Sequence, residues 1–181
     1  DKVKSLDKLI DIYFNSIGLN SSLLLNIPVD KRGLIHENDA QRMLELNQFI
    51  KNTFKNNLIK KSNLFFNNKS HPINKIVDRD IDTFCPFKSN ENNIIGISLD
   101  TEKLVDVFEI SENINLGQRI KEFRFEIKVN EKWVTIEKGT TIGKKRLIKF
   151  KPLIVKDLRF TIVDSKDIPL ISEIGLYKSS K

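Results

Sequence analysis

Charged and apolar residues alternate without a break in Glu122-Phe123-Arg124-Phe125-Glu126-Ile127-Lys128-Val129. A period of two is typical of a β-strand that has one face in a core and the other in water. Residues 158–163 repeat this alternation in the order Leu-Arg-Phe-Thr-Ile-Val. Both stretches therefore predict half-buried antiparallel strands.

Further strands are predicted on either side of these two, at residues 104–109, 133–137, 146–150 and 171–177. Turn-forming pieces such as Asn130-Glu131 and Gly139-Thr140-Thr141 separate them. Many short strands at regular spacing are typical of a β-sandwich. We therefore predict an all-β antiparallel sandwich over residues 58–181, with Trp133 between its two sheets.

Residues 1–57 have helical periodicity instead. The first predicted helix carries Leu6, Leu9, Ile10, Tyr13, Phe14 and Ile17 on one face and ends at Gly18. The second spans roughly residues 36–56, and its apolar face is predicted to hold Ala40, Met43, Leu44, Ile50 and Phe54.

An uninterrupted apolar run, Leu23-Leu24-Leu25-Asn26-Ile27, lies between the helices and ends at Pro28. Such a run predicts a strand that is covered on both faces, as in a parallel sheet. One strand and two helices do not enclose a core, so we expect residues 1–57 to be the end of an α/β domain that continues outside this sequence. The predicted domains are residues 1–57 and 58–181.

Composition excludes several classes of protein. The 31 Lys and Arg against 24 Asp and Glu give a net charge of +7, but the positive residues form short groups between apolar ones, which argues against a nucleic-acid partner. No apolar run approaches the ~20 residues that a membrane span needs. The single cysteine, Cys85, excludes an intrachain disulfide and is predicted to be a buried apolar residue.

The turn Asp78-Arg79-Asp80-Ile81-Asp82-Thr83 is the strongest candidate site. Closely spaced carboxylates and a hydroxyl are the oxygen ligands that calcium prefers. The alternative is a turn stabilised by its own Asp side chains, with solvated carboxylates.

Other patterns are weaker. The two histidines, His36 and His71, lie in different predicted domains without an acidic partner at fixed spacing. The stretch from Gly139 to Lys144 has three residues between its glycines where a phosphate-binding loop needs four, so we predict a hairpin there.

Two segments carry a family resemblance. Residues 22–36, Ser-Leu-Leu-Leu-Asn-Ile-Pro-Val-Asp-Lys-Arg-Gly-Leu-Ile-His, resemble the last strand and following loop of the catalytic barrel in α-L-fucosidases of glycoside hydrolase family 29. Residues 116–120, Trp133 and residues 139–146 resemble the C-terminal sandwich of bacterial and plant members. That sandwich is similar to discoidin-like (factor V/VIII type C) domains, which are galactose-binding-like jelly rolls, and to family 32 carbohydrate-binding modules.

The resemblance implies a secreted or periplasmic retaining glycosidase, whose two catalytic carboxyl groups lie about 5 to 5.5 Å apart. In the family both precede the final barrel strand, so we expect no catalytic residue in this chain, and its substrate-binding residues are unknown. Asn26, Asp30 and Arg32 either border the active site or form a local turn.

The resemblance also implies a structural calcium held by Asp78, Asp80 and Thr83 together with Glu173, and no cofactor for catalysis. Fucosylated glycans are the partners expected of the longer enzyme, and the missing barrel is the expected neighbour of the sandwich.

Two functions stay open at this point. The chain is either part of a fucosidase whose sandwich supports the barrel, or a module that binds glycans by itself; a non-enzymatic adhesion domain is more remote. Exposed aromatic residues would favour glycan binding. Trp133 and Tyr177 both lie in strand patterns that predict burial, Trp133 with Phe123, Phe125 and Phe160, so the supporting role is favoured.

Overall fold

Two helices precede the strands along the chain. The computed structural model describes residues 3–66, 69–70, 74–87 and 93–180. Within these ranges the helices are α1 (Leu6–Asn15) and α2 (Glu37–Thr53), and the strands are β1 (Asn63–Phe66), β2 (Lys69–Ser70), β3 (Cys85–Pro86), β4 (Asn93–Glu112), β5 (Ile120–Val129), β6 (Lys132–Gly139), β7 (Arg146–Ser165) and β8 (Leu170–Tyr177). Short 3₁₀ helices occupy Leu58–Lys61, Asn74–Ile76 and Ile114–Leu116.

The long strands β4 and β7 connect two sheets. The first half of β4 pairs with β1 and the end of β7, whereas the second half pairs with β8 and the start of β7. Register shifts between Ser98 and Lys103 and between Val105 and Val107 separate the two halves. Hydrogen bonds join the eight described strands in one continuous network, which we divide at these shifts into two sheets: the first is β2-β1-β4-β7-β5-β6, and the second contains the start of β7, the end of β4, β8 and β3.

Aromatic rings from the two sheets meet in the core. The centroids of Phe108, in the second sheet, and Phe125, in the first, lie 4.3 Å apart with nearly parallel rings. Phe123 and Phe160 stack at 5.1 Å, and all four side chains are fully buried. This packing is consistent with the predicted β-sandwich.

Each strand predicted within residues 58–181 lies within an observed one. The stretches predicted at 146–150 and 158–163 are two parts of the single strand β7, and β4 begins well before the predicted residue 104. The predicted turn at Asn130-Glu131 is confirmed, since both residues have positive φ, 47° and 61°, between β5 and β6.

The helices cover the outer face of the second sheet. Leu9 and Phe14 of α1 and Phe49 of α2 pack in one cluster with Leu147 and Tyr177 of the sheet. The two predicted helices are thus confirmed, but Ala40 and Leu44 of the predicted α2 face are exposed. The helical period marks a broad stripe, and only the packing on the sheet selects which part of it is buried.

The predicted buried strand at residues 23–27 is wrong. These residues have no strand pairing, and Leu24 is 94% exposed. A strand covered on both faces needs a strand on each side and a layer above and below, and the described part of the chain supplies neither at this place. An α/β barrel remnant is therefore not visible in this structure.

The prediction that Trp133 lies between the two sheets is wrong, because its side chain is 39% exposed and lies outside the core. The register pairs Trp133 with Lys128, whereas Ile127, the neighbour of Lys128, points into the core. Alternate residues face opposite sides of a sheet, so Lys128 and Trp133 share the outer face. The burial predicted for Tyr177 is confirmed.

Among the described residues, no helix combines the length and apolar character that crossing a bilayer requires.

Candidate functional site

The acidic turn is stabilised by its own side chains. Asp78 accepts hydrogen bonds from the backbone N–H of Asp80 at 2.9 Å and from the Thr83 hydroxyl at 2.8 Å. Asp80 accepts from the backbone N–H of Asp82 at 3.0 Å, and Arg79 adopts a positive φ of 66°. This is the Asp-stabilised turn that the sequence left as the alternative to a calcium site.

Glu173 joins this turn to β8. Its Oε2 accepts the backbone N–H of Arg79 at 2.8 Å, while its Oε1 is buried without a partner. Burial is the main cause that raises the pKa of Glu173 to about 7, and the nearby Glu109 and Asp78 carboxylates add to it. The structure thus brings Glu173 close to the turn, as the resemblance implied.

The donor set does not form a calcium cage in this arrangement. The Asp78 and Asp80 carboxylates are engaged by N–H and hydroxyl donors of the turn, and Glu173 faces the N–H of Arg79. Within the part of the chain that the structure describes, no three His, Cys, Asp or Glu side chains are grouped for a metal ion. The calcium site at Asp78, Asp80, Thr83 and Glu173 stays a prediction.

Glu173→Gln should flatten the pH dependence of stability. Because burial raises the folded-state pKa of Glu173 to about 7 from its usual 4.5, its contribution to stability is complete below pH 4.5 and is lost as pH rises through 7. Urea unfolding at pH 5 and pH 8 should show a smaller loss for the variant than for the original chain. Glu102→Gln, at an exposed position, serves as the control; an equal loss in all three proteins would contradict the assignment.

A cleft of about 810 Å³ lies between the helical layer and the second sheet. Its walls include Phe54, Arg79 and the segment from Ile17 to Leu23, and its floor includes Glu109, Lys145 and Glu173. The cleft therefore brings together charged residues from four separate parts of the chain.

Glu109 organises the floor of this cleft. The Lys145 ammonium lies 2.9 Å from Glu109 Oε1, and the Tyr177 hydroxyl donates to Oε2 at 2.9 Å. Burial raises the pKa of Tyr177, and the Glu109 charge raises it further. Burial opposes the charge on Lys145, but the Glu109 carboxylate outweighs this and raises the pKa of Lys145. Sequence reasoning missed this cluster, because Glu109 between Phe108 and Ile110 has the pattern of a strand residue that faces solvent.

A second buried carboxylate, Glu112, fixes two loops. It accepts the backbone N–H groups of Arg119 at 2.8 Å and Ile120 at 2.9 Å on Oε1, and that of Gly143 at 3.0 Å on Oε2. These donors belong to segments 116–120 and 139–146, the two that carry the resemblance in the sandwich. Glu112 thus explains structurally why those segments lie together.

Asp30 and Arg32 form a local turn. Asp30 accepts from the backbone N–H and the Nε of Arg32, both at 2.8 Å, and Arg32 also contacts Glu37 at 2.8 Å. The Arg32 side chain is the main cause that lowers the pKa of Asp30. The turn that the sequence left open for this pair is confirmed, and Asn26 is exposed nearby.

The remaining candidates have structural roles or fall outside the structure. His36 caps α2 by accepting the backbone N–H of Asn38, and His71 lies outside the described residues. Gly139–Lys144 connects β6 to β7, but these strands lie on either side of β5 and do not pair with each other, so the predicted hairpin is wrong; the Lys144 N–H donates to Asn20. Cys85 is buried as predicted, and burial raises the pKa of its thiol.

Comparison with known proteins links this arrangement to one group. α-L-Fucosidase 1 of Arabidopsis thaliana is 34% identical over 184 residues, which cover 94% of this chain and 36% of the plant protein. A family 29 fucosidase of Ruminococcus gnavus, solved in complex with fucose, superposes with a TM-score of 0.89 at 32% identity over 98% of this chain and 37% of that one. The chain is homologous to part of the α-L-fucosidases. No family model matches it.

The fucosidase relatives are much longer than this chain, which spans only a little over a third of each. The sandwich also has a separate structural relative. The superposition on CpGH89CBM32-6 of Clostridium perfringens covers 68% of this chain and all of that one, with a TM-score of 0.55 and 17% identity. That likeness shows the fold alone.

Proposed function

We propose that this chain is the C-terminal part of a retaining α-L-fucosidase, which removes terminal α-L-fucosyl groups from glycans, and that its sandwich supports the catalytic barrel. The observation that carries this proposal is the similarity along nearly the whole chain to proteins almost three times as long. The fucosylated substrates belong to the longer enzyme. Its secreted or periplasmic location stays a prediction.

An exposed apolar surface supports the barrel part of the proposal. Leu24, Val29, Leu34, Ile35 and Leu44 are all exposed, and all lie between the end of α1 and the middle of α2. Large apolar side chains that are exposed together in one segment of a chain are commonly covered by another part of the protein. We propose that the rest of the enzyme covers it.

The catalytic carboxyl pair of a retaining glycosidase is proposed to lie outside this chain. The purified chain should therefore release no nitrophenol from an aryl α-L-fucoside, whereas the longer protein that contains it should. Hydrolysis by the chain that a single substitution within it abolishes would contradict the proposal. Inactivity of the longer protein would overturn the assigned activity.

The division into residues 1–57 and 58–181 is also proposed. We expect the second piece to unfold cooperatively by itself and the first not to, because only the second closes a core. The helices do bury Val107, Leu147 and Tyr177, so the isolated sandwich should be less stable than the whole chain. Circular dichroism during thermal unfolding of both pieces tests this; a cooperative transition in the 1–57 peptide would contradict it.

Glycan binding by the sandwich itself is the second candidate function. The sequence predicted that Trp133 and Tyr177 are both buried, which favoured the supporting role, but only Tyr177 is buried. An exposed indole is suited to stacking on sugar rings. The exposure of Trp133 is the observation that favours this candidate.

A further inference from the structure

Trp133 stands on the solvent-facing side of the first sheet. Its cross-strand partner is Lys128, and Glu126 and Arg124 follow on the same face of β5 because they alternate with core residues. Arg159 of β7 pairs with Glu126 and completes the row. We name these five residues the Trp133 platform.

The platform is held rigid by charged contacts. The Arg159 guanidinium carbon lies 4.3 Å from the centroid of the Trp133 ring. Arg159 is itself fixed by two hydrogen bonds to Glu126, at 2.6 and 3.1 Å, and Arg124 Nε lies 3.1 Å from the same carboxylate. Trp133 keeps 39% of its surface exposed beside this contact, so part of the indole is accessible to a ligand. A ligand that stacks there meets a side chain already held in place, which lowers the entropy cost of binding.

The charge around the indole is mainly positive. Arg124, Lys128 and Arg159 are part of the platform, and Lys138 pairs with Arg124 across the strands and is exposed. Glu126 is buried beneath the two arginines, which together outweigh its charge. Arg124 is the most exposed of the three cationic side chains in the platform, with 38% in solvent against 28% for Lys128 and 27% for Arg159, and its guanidinium can pair with an anionic group beside the indole.

We propose that the Trp133 platform binds one ring of an acidic polysaccharide, with the sugar face stacked on the indole and its carboxylate paired with Arg124. This deepens the second candidate function by naming the ligand class and the site. A nucleic-acid strand fits less well, because it needs a succession of stacking rings and the chain has a single Trp.

Binding is measured with the full chain and tetragalacturonate, using the fluorescence of Trp133, which is the only tryptophan. We expect a saturable change with the acid and binding about tenfold weaker or less with its methyl ester, which keeps the rings but not the charges. Equal binding of acid and ester would overturn the acidic specificity while leaving glycan binding in place. No binding of either, or tighter binding of a thymidine oligonucleotide, would overturn the platform as a glycan site.

Variants separate the roles of the platform residues, with affinity measured by equilibrium dialysis. Trp133→Ala should abolish binding and Trp133→Phe should retain part of it, while Arg124→Gln should weaken binding of the acid about tenfold and leave that of the ester unchanged. Ile154→Ala is the matched control, since Ile154 is also an exposed apolar strand residue and is not part of the platform. Equal loss in Ile154→Ala and Trp133→Ala would contradict the proposal. Thermal unfolding confirms that each variant is folded.

Discussion

Glu112→Ala should remove most of the stability of the sandwich. The substitution leaves the N–H groups of Arg119, Ile120 and Gly143 without their acceptor. Each unsatisfied buried group costs about 1 to 3 kcal/mol, so three such groups should cost roughly 3 to 9 kcal/mol. A domain of this size is stable by only about 5 to 15 kcal/mol. Urea unfolding followed by circular dichroism measures the loss.

Glu112→Gln tests whether acceptance of hydrogen bonds, rather than packing, is the cause. The amide keeps the shape and one acceptor oxygen, but its NH₂ group must face at least one backbone donor. We therefore expect a loss between that of Glu112→Ala and the original chain. Glu102→Ala, on the same strand but exposed, should change stability by less than about 0.5 kcal/mol. If the free energy of unfolding of Glu112→Ala lay within about 1 kcal/mol of that of the original chain, the two loops would keep their positions without Glu112, which would contradict the prediction.

The alternation of residue types was sufficient to predict the strands of the sandwich. In β5, the apolar residues Phe123, Phe125 and Ile127 are all fully buried, as the period of two requires. The continuity of β7 was not predictable, because the pattern changes where the strand passes from one sheet to the other. The pattern is a local property, whereas the crossing depends on register shifts in the partner strand β4.

The buried carboxylates could not be predicted for a related reason. Glu109 and Ser111 alternate with Phe108 and Ile110, as in a strand with one solvated face, and Glu112 ends this alternation. Glu109 is buried because Lys145 reaches it from the loop before β7 and Tyr177 reaches it from β8. Glu112 is buried because two loops fold over it. The residues that cover Glu109 and Glu112 are not adjacent to them in the sequence, so the local pattern contains no signal for their burial.

The exposed run at residues 23–27 shows the opposite case. An apolar stretch predicts burial but does not identify the surface that covers it. In this chain Leu24 remains exposed, so the prediction of a strand was wrong for the structure, although the apolar character that prompted it is real. In our proposal, the rest of the longer enzyme covers this apolar run.

Phe125→Ala and Trp133→Ala should have very different effects, although the sequence predicted both residues in the core. Phe125 is fully buried and stacks on Phe108, so its loss should cost ~3 to 5 kcal/mol through lost burial and a cavity. Trp133 is 39% exposed, so its loss removes the partial burial of the ring and its contact with Arg159 but leaves no cavity in the core, and it should cost less than the loss of Phe125. Thermal unfolding compares the two: a larger shift for Trp133→Ala would return Trp133 to the core and remove the basis for a ligand platform on the outer face.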